Sequence, residues 1–357
     1  MISFIWSPGN RLPSGTGGSE NYTVGQVREL NRRGIRAQIV TVGLGEDDGR
    51  GEFYGIPFLA LSSLSAVSAL DGTVIFVNEA HQVHTRNPAY LILHNPPPIR
   101  ERFRAFAIDG TRQLGLIATS QFAARLWADF LDVDVKTIAV VYPFAEPEFG
   151  LAHRRPGPRD VTRVLYAGRL SPEKGIYTLL EMLHLDVVSH QVNLTFTATT
   201  AGADKEQGAI IERILHGHPG ISVVGSRTSP ERMATLMAAH DVVIMPSNSQ
   251  YWHETFGIVA VEAQHAGCRV VASDDGGLPE ADCGTLILVE PDNAEALAQG
   301  ILRAVALGEV GSRERAVARQ SYTVAQSGSA LVEILSRPFP TTPSAVIREL
   351  EELIELN

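Results

Sequence analysis

Short runs rich in β-branched and aliphatic residues alternate with stretches of helical periodicity along this chain, and the pattern runs through twice. In the first half, Ile2 to Trp6, Ala37 to Val42, Val74 to Val77, Tyr90 to His94, Leu116 to Thr119 and Thr137 to Val141 read as strands. The stretch Ser19 to Arg33 carries Tyr22, Val24, Val27 and Leu30 at helical spacing. A polar segment with two prolines, HRRPGPRD at 153–160, has no periodicity and reads as an interdomain linker. The alternation then restarts, with strands at Val161 to Ala167, Val192 to Thr197, Ile221 to Val224, Asp241 to Met245, Arg269 to Ala272 and Leu286 to Val289. Helices fit between them, among them Glu231 to Ala239, Phe256 to His265 and Ala294 to Ala306. Such alternation builds parallel sheets covered on both faces, so the expected class is α/β: two doubly wound, Rossmann-like domains facing a central cleft. Ligands of such sheets bind outside the carboxyl ends of the strands. The expected units are 1–152, 153–335 and a helical tail at 336–357, which sets Val346, Ile347, Leu350, Leu353 and Ile354 on one face.

A length of 357 residues supplies two cores, and 44% hydrophobic with 20% charged residues is the balance of a globular protein. The net charge of −10 argues against a nucleic-acid partner and requires any anionic ligand to find a local basic site. The acidity is uneven: residues 1–150 hold 13 basic and 15 acidic side chains (−2), leaving 17 and 25 (−8) for the rest. Two cysteines, Cys268 and Cys283, make neither a disulfide framework nor a four-cysteine metal site, which suits a reducing, cytoplasmic setting. The opening MISFIWSPGN reads as a core strand rather than a signal peptide. With no apolar run near the roughly 18 residues that cross a bilayer, membrane contact is expected to be peripheral at most, at the inner face.

Four constellations carry candidate chemistry. In PSNSQYWHETFGIVAVEAQHAGCRVVASDDGG, Glu254 and Glu262 stand eight positions apart across an expected helix start, about 12 Å along a helix axis. The N–H groups of Thr255, Phe256 and Gly257 would leave that start free for an anion, while Glu262 sits in an apolar run and needs hydrogen-bond donors. An amphipathic helix with one buried and one exposed Glu accounts for the same residues. In VLYAGRLSPEKG, Arg169 ends a strand and Lys174 opens a helix, a pair suited to a diphosphate, or else two solvated surface cations. The loop Gly15-Thr-Gly-Gly-Ser-Glu20, with Gly17 and Gly18, is neither GxGxxG nor a P-loop; it is a plain turn or a close approach to a phosphate or sugar. His94, at a strand end before three prolines, is either a structural histidine or one placed to meet a substrate hydroxyl. The spacing of Glu79, His81 and His84 fits no strong zinc motif, and Arg100, Arg102, Arg104 and Arg112 suit an anionic acceptor, a lipid surface or a solvated helix face.

With GRLSPEKG, HETFG, VEAQHAG and ASDDGGLPE in this order, the second half resembles the retaining, GT-B-fold glycosyltransferases of the family-four group. The first half resembles it less, through GTGGSE, LILHNP, IATSQF and VVYPF. The resemblance implies transfer of a sugar from a nucleotide diphosphate donor to a glycan, lipid-linked or small-molecule acceptor, with retention and no required metal or further cofactor. UDP, GDP and ADP stay open. It implies an acceptor-binding first domain and a donor-binding second one. Arg169 and Lys174 would then neutralise the diphosphate, and Glu262 would hold the ribose. Glu254 with the backbone of Thr255, Phe256, Gly257 and Ile258 would hold the sugar and β-phosphate. His94 would contact the sugar near the reacting carbon, and Gly17 and Gly18 would approach the phosphate from the opposite domain. Tyr322 stands where the family carries an aromatic before its last helices, and the base would lie near Gly225 to Thr228. Two other outcomes stay open: a nucleotide-sugar hydrolase or epimerase on the same fold, and a non-enzymatic sugar-binding protein.

Overall fold

The computed structural model describes residues 1–339 apart from 13–16, 46–52, 54, 155–160, 190, 192, 201–206, 226 and 228. The expected tail helix and most of the expected linker therefore lie outside the described residues.

The first sheet has seven parallel strands in the order β3-β2-β1-β4-β5-β6-β7: β1 (Ile2–Ile5), β2 (Ala37–Val42), β3 (Phe58–Leu61), β4 (Thr73–Val77), β5 (Ala89–Leu93), β6 (Gly115–Ala118) and β7 (Ile138–Val140). The second has six, in the order β10-β9-β8-β11-β12-β13: β8 (Thr162–Tyr166), β9 (Leu194–Thr200), β10 (Ile221–Gly225), β11 (Val242–Met245), β12 (Arg269–Ser273) and β13 (Leu286–Val289). The two expected doubly wound units are present. In each, strand order reverses beside the first strand, between β1 and β4 and between β8 and β11, so each crevice opens at the carboxyl end of that strand.

Helices α1 (Gly18–Arg32), α2 (Glu101–Thr111), α3 (Gln121–Leu131) and α4 (Pro147–Leu151) belong to the first half. The second half adds α5 (Ile176–Leu183), α6 (Asp186–Ser189), α7 (Gln207–Gly217), α8 (Pro230–Ala238), α9 (Ile258–His265), α10 (Ala294–Leu307), α11 (Ser312–Ala318) and α12 (Val324–Ser336). Alternate strand residues feed opposite cores. Phe4, Ile39, Ile75, Ile92 and Ile117 pack with Tyr22, Val27 and Leu30 of α1, while Ile5, Val40, Phe76 and Leu91 pack with Ala123, Ala124 and Trp127 of α3.

Two features depart from the expected organisation. The chain leaves the first core between Phe144, packed with Tyr22, and Ala145, packed with Phe149 and Phe256, earlier than the polar linker suggests. The crossing is an apolar extended segment, which no composition rule marks as a linker. Helix α12, all but its last residue inside the range 153–335, returns to the first domain: Leu331 is buried in the α1-side core, Gln26 Nε2 donates to Ser327 Oγ at 2.7 Å, and Ser327 Oγ donates to the Tyr142 carbonyl at 2.6 Å. Where the chain comes back, Ala145 N–H donates to the Tyr322 carbonyl at 3.1 Å, so outgoing and returning segments run side by side.

Leu331→Ala should destabilise the protein by about 2–5 kcal/mol, whereas Leu307→Ala, at an exposed position, should change stability by less than about 0.5 kcal/mol. Urea unfolding of both variants checks this, and equal losses would contradict the docking of α12.

Candidate active site

Loops from the carboxyl ends of both sheets enclose a cavity of about 500 Å³. Gly17, Gly18, His94, Arg169, Lys174, Glu254, Thr255, Phe256, Gly257, Ile258 and Glu262 all line it. Residues chosen from four separate sequence segments thus meet in one place.

The β8 side is built around a tight loop. Tyr166 is buried, and its hydroxyl donates to the Arg169 carbonyl at 2.6 Å and lies 3.2 Å from that of Lys174, gathering the two ends of the loop. Gly175 has φ +71°, and a Cβ there would fall 1.6 Å from the Pro246 carbonyl oxygen, so only glycine lets this loop close onto the end of β11. The closure sets Lys174 Nζ in an ion pair with Glu254 Oε1, which also accepts from Ser247 Oγ at 3.3 Å. Burial alone would push the Glu254 carboxyl up, but the charge and hydrogen bond of Lys174, with Ser247 and Arg169, outweigh it and hold the group below its ordinary range. Arg169 is half exposed and lies 3.3 Å from Glu173, leaving its guanidinium at the cavity wall.

The helix start differs from expectation. Helix α9 begins at Ile258, not Phe256, because Gly257 adopts φ +93° and interrupts the helical run. The segment 254–257 is therefore loop, and the 12 Å axial separation of the two glutamates does not apply. The first-turn N–H groups shift to Gly257, Ile258 and Val259, all at the cavity wall with no side chain capping the helix. A helix start open in this way attracts an anion. Glu262 lies one turn further in, 6% exposed, and its carboxyl is pushed up to about 8 by burial and then by the charge of Glu146. Glu146 is itself pushed up to about 7 by burial, against the pull of Arg28.

The first domain contributes a neutral imidazole and the carboxylate of Glu20 to the cavity lining. His94 stands edge-on to Tyr22 with ring centroids 4.9 Å apart, and burial pushes its imidazole down to about 3, so it is uncharged at neutral pH. Thr255 Oγ1 donates to the His94 carbonyl at 2.7 Å, and the Thr255 carbonyl accepts from Ser120 Oγ. Glu280 accepts from the N–H groups of Gln121 and Phe122 at the start of α3, at 2.8 and 2.7 Å, and from Tyr142 Oη at 2.9 Å. The rings of Tyr142, Phe256 and Tyr322 pack with centroids 5.3 to 5.5 Å apart, joining both interdomain crossings to the residue before Gly257.

Sequence reasoning missed Glu280, Ser120, Thr119, Ser247 and Val259. A usable signal existed for Ser120, a helix N-cap directly after a strand. Arg227, in the segment expected near a base, lines the cavity, whereas 226 and 228 lie outside the described residues. Among the described residues no group of three or more His, Cys, Asp or Glu could hold a metal ion, and Glu79, His81 and His84 form none.

Both the sequence and the fold resemble known proteins. Residues 161–306 match the sequence profile of the family described as glycosyl transferases group 1. The lipopolysaccharide 1,2-N-acetylglucosaminetransferase of Salmonella typhimurium is 28% identical over 258 residues, 67% of this chain and 65% of that protein. The D-inositol 3-phosphate glycosyltransferase of Streptomyces griseus is 31% identical over 255 residues, 61% of this chain and 52% of that protein. The chain thus spans less than two thirds of the length of these relatives. Among solved structures, a glycosyltransferase from Rickettsia africae superposes with a TM-score of 0.72 at 17% identity, covering 94% of this chain and 97% of that one. Anabaena HepE in complex with UDP and glucose gives 0.70 at 21%, covering 94% and 99%. The fold is GT-B.

The raised pKa of Glu262 gives a pH signature. The native state holds this carboxyl protonated where the unfolded chain, near ~4.3, has released the proton. Its stabilising share is complete below that value and is lost as pH rises through about 8. Glu262→Gln stays neutral and escapes this loss, so its Tm advantage over the natural protein should widen between about pH 5 and about pH 8.5. A constant Tm difference across that range would contradict the burial of the group.

Proposed function

We propose, because residues 161–306 match the profile of the glycosyl transferases group 1, that the chain is a retaining glycosyltransferase that uses a nucleotide diphosphate sugar and requires no metal. The observation that carries this reading is the pairing, across one cavity, of a cationic loop and an uncapped helix start with the neutral imidazole of His94. The diphosphate lies against Arg169, Lys174 and the N–H groups of residues 257–259, where positive charge and fixed dipoles are strongest. Glu262 accepts hydrogen bonds from the ribose, Glu254 orients Lys174 and meets the sugar, and Gly17 and Gly18 close on the phosphate from the first domain. His94 donates to or accepts from a hydroxyl of the transferred sugar.

The bond from the anomeric carbon to the phosphate oxygen breaks while a bond to the acceptor oxygen forms on the same face. The departing phosphate takes the acceptor proton, so no protein base is needed. Arg169 and Lys174 lower the barrier because they face the negative charge that grows on the leaving group. The HepE complex makes UDP the first nucleotide to test, with GDP and ADP beside it.

The acceptor, a glycan, lipid-linked or small-molecule hydroxyl, approaches along the first domain. Arg104 of α2 and the exposed Ile99 and Phe106 suit peripheral contact with an anionic membrane at the cytoplasmic face. Among the described residues no helix is long and apolar enough to cross a membrane.

A thermal-shift screen of UDP-, GDP- and ADP-glucose should raise Tm with one of them, since a ligand at about 100 times its Kd adds about 2.7 kcal/mol. Lys174→Ala should weaken that donor and its turnover by about 30-fold or more, as expected for losing a buried charged partner worth about 2–5 kcal/mol, and Glu262→Ala by about fivefold or more, as expected for losing a hydrogen-bond partner worth about 1 kcal/mol or more. Unchanged donor affinity and turnover in both would overturn the site. Lys174→Met with Glu254→Gln separates a lost phosphate contact from a stranded carboxylate. Product analysis without acceptor would expose a hydrolase or epimerase, and unaltered donor after long incubation a binding protein.

A further inference from the structure

Strands β5 and β6 pair in parallel with Leu93 opposite Ala118. The next residues, His94 and Thr119, therefore stand side by side just past the carboxyl edge of the sheet. Ile92 and Ile117, two positions earlier, both face the α1-side core, and the two-residue period carries His94 and Thr119 onto that same face. Both line the cavity.

Thr119 is 2% exposed, yet among the described residues its Oγ1 has no hydrogen-bond partner, and neither has His94 Nε2. The hydroxyls of Tyr22, Ser171 and Thr199 are likewise buried without a partner among the described residues, but those of Ser120 and Thr285 are satisfied. Ser120 Oγ accepts from Ala123 N–H at 2.9 Å and donates to the Thr255 carbonyl, and Thr285 Oγ1 donates to the Cys268 carbonyl at 2.9 Å. A buried polar atom without a partner destabilises the native state until one arrives. Two such atoms on neighbouring strands, both facing one cavity, define a built polar subsite. Its imidazole is neutral, the cations Arg169 and Lys174 belong to the second domain, and Glu20 is the charged residue that the first domain brings to the cavity lining.

We propose that Thr119 is a specificity-determining contact residue, whose hydroxyl, beside the His94 imidazole, binds a neutral hydroxyl of a sugar in the cavity. This rests on the glycosyltransferase reading and deepens it. The hydroxyl comes from the transferred sugar or from the acceptor, and the two sources give different readouts.

The test compares Thr119→Val, nearly the same shape without the hydroxyl, and Thr119→Ser, which restores it, with the natural protein. The probes are the glucose donor that binds best among UDP-, GDP- and ADP-glucose, and the matching nucleoside diphosphate alone. Without ligand, Thr119→Val should keep or raise Tm, because an unsatisfied hydroxyl is removed. Diphosphate affinity should be unchanged. A loss of about tenfold in donor affinity assigns the partner to the transferred sugar; a comparable loss in acceptor kcat/KM at unchanged donor affinity assigns it to the acceptor. Thr119→Ser should recover most of either loss. A lower Tm for Thr119→Val, equal losses for donor and diphosphate, or natural values for both donor affinity and acceptor kcat/KM would each overturn the assignment. Failure of the natural protein to bind any of the three donors would instead overturn the glycosyltransferase reading.

Discussion

Thr255 joins the two halves of the molecule through its side chain and its carbonyl at once. Its hydroxyl reaches the end of β5 and its carbonyl accepts a hydrogen bond from the residue that caps α3. Glu280 repeats the connection a short distance away by filling the start of α3 with a carboxylate. These contacts matter because each sheet alone offers only half a crevice. The strand-order reversals put Gly17 and Arg169 near their respective sheet edges, but the cavity has two walls only while the seam holds those edges together. Charge-assisted hydrogen bonds to backbone N–H groups are among the stronger polar contacts available, and they are directional. They fix where His94 stands relative to the start of α9, which hydrophobic contact alone would leave free to slide.

Charge within the cavity is arranged by position rather than by total. The second half is the more acidic one, yet it places Arg169, Lys174 and an uncapped helix start together. Glu254 does not cancel this field so much as aim it, since the carboxylate holds the Lys174 ammonium in one orientation. A buried ion pair is a weak source of stability, so its persistence here points to orientation as its use. Glu262 and Glu146 form the opposite case, two carboxyls whose burial favours the protonated form. Donors that hydrogen-bond to the ionised form of Glu262 would draw its pKa back down, which couples ligand binding to proton release.

Much of this was legible in the residues. Twelve of the thirteen strands among the described residues followed from β-rich runs between turn signals, and glycines and charges at strand ends pointed to residues that line the cavity. The strand at Phe58–Leu61 escaped because a short, half-buried edge strand carries little periodic signal. The start of α9 was misplaced because an apolar run continues through Gly257, and only the backbone reveals its left-handed turn. Helix α12 was hidden differently. Periodicity tells which face of a helix is apolar but not which domain covers it, and Leu331 finds α1 across the molecule. Glu280 and Thr119 share that difficulty: the partners of the one at the start of α3 lie more than a hundred residues away, and the hydroxyl of the other has none among the described residues, so local sequence says nothing about them.

The return of α12 bears on how the protein is made. The first domain's strands are complete once β7 has left the ribosome, but α1 still lacks the cover that Leu331 and its neighbours provide. Between the crossing at Ala145 and the return at Thr323 the ribosome must add the whole second domain, roughly 10 to 35 s of synthesis at about 5–20 residues per second. During that interval the nascent first domain presents an apolar strip to its surroundings.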